Sequence, residues 1–132
     1  MVRPTLIAAL LVTAASIALP SARNGRQTTR APSMEGAFEY VGALKGQSTM
    51  VGGRFVFLFG PSDGSAPMTG DAGTYRISHD TATHTITYST SHERVGTVFL
   101  WTPESWAGDT VTYVVMNAQR QMTGRGRSVR RH

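Results

Sequence analysis

The side chains able to transfer a proton or hold a metal are few in this chain. Outside its two arginine-rich ends they are Glu35, Glu39, Asp63, Asp71, His79, Asp80, His84, His92, Glu93, Glu104 and Asp109. His79, Asp80 and His84 form the single local cluster. A zinc site needs three or four converging ligands, and its usual spacings, such as H-E-x-x-H on a helix, do not occur here. His79 instead falls in a polar break and His84 in an alternating run, so no metal site is expected. A nucleophile elbow of the form G-x-S-x-G is missing too, and Ser62-Asp63-Gly64-Ser65 has the composition of a loop. With no cysteine, disulfides, Cys-ligated metals and thiol nucleophiles are excluded. What survives is acid–base chemistry by one Glu or His tuned inside an apolar pocket. Glu39 and His84 are the candidates for that, and the residues assign no catalytic group, metal or cofactor beyond it.

The elements that would position such groups are strands. From Gly73 to Trp101 three runs rich in β-branched and aromatic residues alternate with period two, the spacing that puts one set of side chains on one face of a sheet. Tyr75 and Ile77 share one parity; so do His84, Ile86 and Tyr88; so do Val95, Thr97, Phe99 and Trp101. The breaks at His79–Thr81 and Ser91–Arg94 turn the chain between them, giving a meander.

Before it, residues 35–44 alternate as a first strand with Gly42 as a bulge, and Lys45–Ser48 reads as a break. TMVGGRFVFLFG then places Phe55, Phe57 and Phe59 on one face. Residues 60–72 hold two of the six prolines and several glycines, which predicts the longest loop, either a lid over a barrel mouth or a surface loop. Residues 102–108 read as a further break, with Pro103 suited to the first position of a single helical turn. A strand follows through Val111, Tyr113 and Val115, then a turn at 117–121 and a last strand over Met122–Val129. The fold expected is all-β: one small antiparallel up-and-down barrel of about 7–8 strands, spanning residues 35–131.

The formal net charge is +5, but its location matters more than its size. Between Glu35 and Gln119 four basic residues face all eight acidic ones, so the body carries −4 and the excess sits at the ends. A nucleic-acid binder would carry a basic face interleaved with exposed aromatics, so no nucleic-acid partner is expected. The arginines closing the chain read as a solvated end, or as a dock for an anionic lipid or an acidic partner. Residues 1–22 read as a signal peptide: Arg3 supplies the positive start, Thr5–Leu19 the apolar run, and small residues the cleavage region after Ala18 or Ala22. The other reading of that run is an uncleaved anchor. Residues 23–34 lack apolar periodicity and read as a disordered lead-in. Export to the periplasm or beyond is expected, with no membrane span once the leader is removed.

Four short stretches carry a resemblance: Glu35-Gly36-Ala37-Phe38, Gly73-Thr74-Tyr75, Gly108-Asp109-Thr110-Val111-Thr112, and Gly126-Arg127 with Arg130 and Arg131. On these the chain resembles the small bacterial lipocalin-like (calycin-type) proteins over most of residues 35–131. Phe38 stands where the true lipocalin signature has Trp. The resemblance implies a barrel open at one end, an aromatic–arginine closure made by Phe38 with Arg125 or Arg127, and a small, largely apolar ligand inside. The interior residues expected to line the site are Phe55, Phe57, Tyr75, Ile86, Tyr88, Phe99 and Tyr113. The competing expectation is a barrel packed solid, serving as a structural or interaction protein of the cell envelope.

Overall fold

The structure, a computed structural model, describes residues 32–132. The expected leader and all of the lead-in up to residue 31 lie outside the described residues. Eight antiparallel strands run up and down in sequence order: β1 (Gly36–Val41), β2 (Leu44–Val51), β3 (Arg54–Pro61), β4 (Thr69–Ser78), β5 (Thr81–Ser89), β6 (Val98–Ala107), β7 (Thr110–Asn117) and β8 (Met122–Arg131). β8 pairs back onto β1, with Phe38 opposite Arg130, and closes the barrel. Closure removes the unpaired edges an open sheet would expose. No helix among the described residues is long and apolar enough to cross a membrane.

The triple-Phe strand shows why the barrel forms. On β3 Phe55 and Phe57 are buried and Phe59 half-buried, while Val56 and Leu58 point out to solvent. Period two in sequence becomes inside and outside on a closed sheet. Each buried ring contributes about 1.5–3 kcal/mol, the main driving force available to a chain without disulfides.

Several local expectations are corrected. Lys45–Ser48 is not a break but part of β2; the chain turns earlier, at Gly42-Ala43, so Gly42 is a turn residue and not a bulge. Gly52 and Gly53, with φ of 59° and 80°, form the two-residue turn that separates β2 from β3. Tight hairpins need positive φ at both central positions, which glycine supplies without strain. The loop expected over 60–72 contracts to 62–68, because Gly70, Asp71 and Ala72 pair with β3. β6 occupies the expected helical turn as far as Ala107, and the chain turns only at Gly108. Pro103 is accommodated there because β5 begins at Thr81, whose hydroxyl lies 3.0 Å from that of Thr102, and because the β6–β7 register shifts between Pro103 and Ser105. A proline fits a sheet at such an edge or bulge, where its missing N–H is not needed.

The arginines closing the chain are not a loose end: they stand on β8, with Arg125, Arg127 and Arg131 exposed on it and Arg130 half-buried. Arg130 and Arg131 belong to β8, and Arg131 pairs with Glu39 across the β1–β8 seam. The aromatic–arginine closure is made by Arg130, not by Arg125 or Arg127. Its guanidinium carbon sits 4.7 Å from the centre of the Phe38 ring and 5.6 Å from that of Trp106, and the group donates to the Ser33 and Glu35 carbonyls. Register decides this, since Phe38 faces Arg130 directly across the seam. These bonds also tie down the segment before β1, and Met34, placed in the disordered lead-in by sequence, is buried in the core.

Candidate functional site

The strand ends at Val41, Leu44, Pro61, Thr69, Ser89, Val98, Asn117 and Met122 lie at one end of the barrel, opposite the end that Met34 stoppers. Between them is a cavity of about 480 Å³. Met34, Phe38 and Met50 form its floor. Phe57, Phe59, Phe99 and Trp101 supply an aromatic wall from β3 and β6, and Tyr40, Tyr113, Ser48 and Ser128 bring hydroxyls from the other side. None of residues 62–68 lines it, so the Pro/Gly loop is not part of its wall.

Of the seven residues expected to line the interior, Phe57, Phe99 and Tyr113 do so. Phe55, Tyr75 and Ile86 are buried as expected, but within the packed cluster that includes Met34, Met50 and Ala82 rather than on the cavity surface. Tyr88 is corrected outright: it is 63 % exposed on the outer face. Along β4–β5 the pairing steps from Ala72–Tyr88 to Gly73–Ile86, leaving Thr87 as an extra residue. Such a bulge reverses the inside–outside alternation beyond it, so Ile86 faces in and Tyr88 faces out. Gly73 makes the bulge feasible: a Cβ there would lie 1.9 Å from the Thr85 carbonyl oxygen and 3.0 Å from the Phe55 ring.

Neither acid–base candidate reaches the cavity. Glu39 is on the outer side, engaged by Arg131. His84 is fully buried but sits behind the cavity wall, stacked on Phe99 at 4.6 Å with only 3° between ring planes. Phe55, Phe57 and Tyr75 complete its cage, and neither ring nitrogen has a hydrogen-bond partner. Burial strips water from the charged form and pulls its pKa from 6.5 down to about 4; the Ala82 backbone opposes this without reaching hydrogen-bond geometry. His84 is therefore a neutral aromatic core residue at neutral pH. His79 and Asp80 occupy the exposed β4–β5 turn, and no group of three metal-ligating side chains occurs among the described residues.

Of the cavity's polar groups, Tyr113 was expected from sequence, whereas Asp71, Arg94 and Tyr40 were not singled out as site residues. Asp71, only 1 % exposed, takes hydrogen bonds from Arg94 Nε (3.2 and 3.1 Å), Arg94 Nη2 (2.7 Å) and the Ser89 hydroxyl (2.6 Å). Arg94 comes from a 3₁₀ turn, His92–Arg94, and also lies over the Phe59 ring at 5.5 Å. Residues 23 apart in sequence thus form a forked ion pair at the cavity wall, and no local pattern announces it. Tyr40 and Tyr113 have their phenol pKa values raised, first by burial and for Tyr40 also by its neighbour Tyr113; Ser48 and Ser128 respectively pull the other way. Both phenols are neutral donors at any physiological pH. Gly126 leaves the space for one of them, since a Cβ there would lie 2.5 Å from the Tyr113 oxygen.

The arrangement can enclose an apolar body against aromatic and methionine surfaces and offer it a few hydrogen bonds. Compared with known proteins, the chain finds no match to a family model, a curated protein or a solved structure.

Proposed function

We propose that the protein is an exported, lipocalin-like binder of a small, largely apolar molecule held inside the barrel. The observation that carries this reading is the cavity itself. At about 480 Å³ it falls within the 300–1,000 Å³ of small-molecule sites, and its walls are mainly aromatic and aliphatic with few polar groups. Left dry, an apolar void of that size would cost on the order of 10 kcal/mol at ~24 cal/mol per Å³, as much as a small domain's whole stability. The space must therefore be wet or occupied, and apolar walls favour an apolar occupant over water. The same cavity weighs against the solid-packed envelope protein. The lipocalin-like assignment is supported by the closed meander and by an arginine of the last strand lying across the first-strand aromatic. Export rests on the reading of residues 1–22 as a leader.

Native mass spectrometry of the protein purified from the cells that make it tests the proposal. The expected spectrum carries an adduct of small-molecule mass that denaturation releases. Bare chain mass in repeated preparations, together with no uptake of apolar dyes, would overturn it.

A further inference from the structure

The ion pair at the cavity wall narrows the chemistry of the ligand. The charged residues lining the cavity are Asp71, Arg94 and Arg125. Arg125 stands at the rim and is paired with Glu104 at 2.7 Å, both side chains well exposed. Asp71 and Arg94 neutralise each other, and the carboxylate is occupied by Arg94 and Ser89. Arg94 uses Nε and Nη2 on Asp71, and among the described residues its Nη1 makes no hydrogen bond. Beside the hydroxyls of Tyr40, Tyr113, Ser48 and Ser128, which can donate or accept, the wall thus presents one guanidinium edge that can only donate.

Resting on the proposed binding function, we infer that the ligand is an uncharged apolar molecule carrying a hydrogen-bond-accepting oxygen, of the ketone, ester or lactone class, with that oxygen directed to Arg94. A carboxylate brought to the same guanidinium would form a third charge beside the buried Asp71. Its repulsion from Asp71 and its lost hydration would go uncompensated, because both lining cations are already paired, Arg94 with Asp71 and Arg125 with Glu104. An ammonium fares no better, since Asp71 is buried and already engaged by Arg94 and Ser89. A neutral carbonyl accepts from Nη1 without disturbing the pair.

The test compares 2-undecanone with decanoate at about pH 8, where the acid is ionised. The two share their alkyl chain and carbonyl and differ in charge. Binding is read from the fluorescence of Trp101, which lines the cavity. The ketone is expected to bind at least about tenfold more tightly than the carboxylate. In Asp71→Asn, which keeps the side chain's shape but leaves the Arg94 charge unbalanced, that order is expected to reverse. Decanoate binding as tightly as the ketone, or more so, in the unmodified protein would overturn the inference and leave the cavity-binding function standing. Failure of both probes would overturn the two together. An unreversed order in folded Asp71→Asn would remove the pair as the cause. The comparison in the unmodified chain decides whether or not the variant folds.

Discussion

His84 gives the sharpest energetic expectation. Its imidazole is enclosed by Phe55, Phe57, Phe99 and Tyr75 with both nitrogens unpaired. The titratable group in that cage is Tyr75, whose hydroxyl donates to Glu35 and whose own pKa is raised, by burial first, so it stays neutral throughout. The folded protein binds the His84 proton only near pH 4, whereas the unfolded chain binds it near 6.5. Between those values the unfolded state holds more protons, so stability rises with pH; it is full above about 6.5 and is lost as pH falls toward about 4. At about 1.4 kcal/mol per pH unit the loss is about 3 kcal/mol. His84→Phe keeps the stack on Phe99 and removes two unsatisfied nitrogens. It should raise stability at pH 7 by about 1–3 kcal/mol and abolish this part of the acid sensitivity. Urea unfolding of both proteins at a series of pH values measures the difference directly, and the subtraction removes the carboxylates that titrate in both. Parallel loss of stability in the two proteins over that window would refute the reasoning, as would a His84 ring titrating near 6.5 in the folded state by NMR.

Two further outcomes follow from the packing. Arg130→Ala removes the guanidinium from between Phe38 and Trp106 and frees the Ser33 and Glu35 carbonyls; a cost of about 1–3 kcal/mol is expected in thermal or urea unfolding, with faster hydrogen exchange in β1. Gly73→Ala drives a methyl into the Thr85 carbonyl and the Phe55 ring. It should cost at least about 3 kcal/mol or force the β4–β5 register to shift, seen as changed Tyr88 exposure in the folded protein.

The barrel was legible in the sequence because period-two alternation is a local property, and Phe55, Phe57 and Phe59 display it without interruption. Meander order then follows from short polar breaks. What local reading missed depended on partners far along the chain. Asp71 sits in a stretch whose prolines and glycines predict a loop, yet pairing with β3 makes it strand and brings it to Arg94. Tyr88 shares sequence parity with Ile86, and only the bulge opposite Gly73 turns it outward. Pro103 suggested a helical turn because its tolerance in β6 depends on where β5 begins. Which arginine crosses Phe38 is set by the β1–β8 register, between strands at opposite ends of the chain. The cavity's aromatic wall was thus partly foreseen, whereas its ion pair was invisible until the sheet closed.

The central claim is that the barrel interior admits an apolar molecule. Titration with the neutral dye N-phenyl-1-naphthylamine tests it most directly, following dye emission and Trp101 quenching together. The expected result is saturable 1:1 binding that quenches Trp101 and is lost in Val115→Trp, a substitution that fills the cavity from its β7 wall while circular dichroism stays unchanged. No saturable binding, or binding that survives Val115→Trp in full, would contradict it.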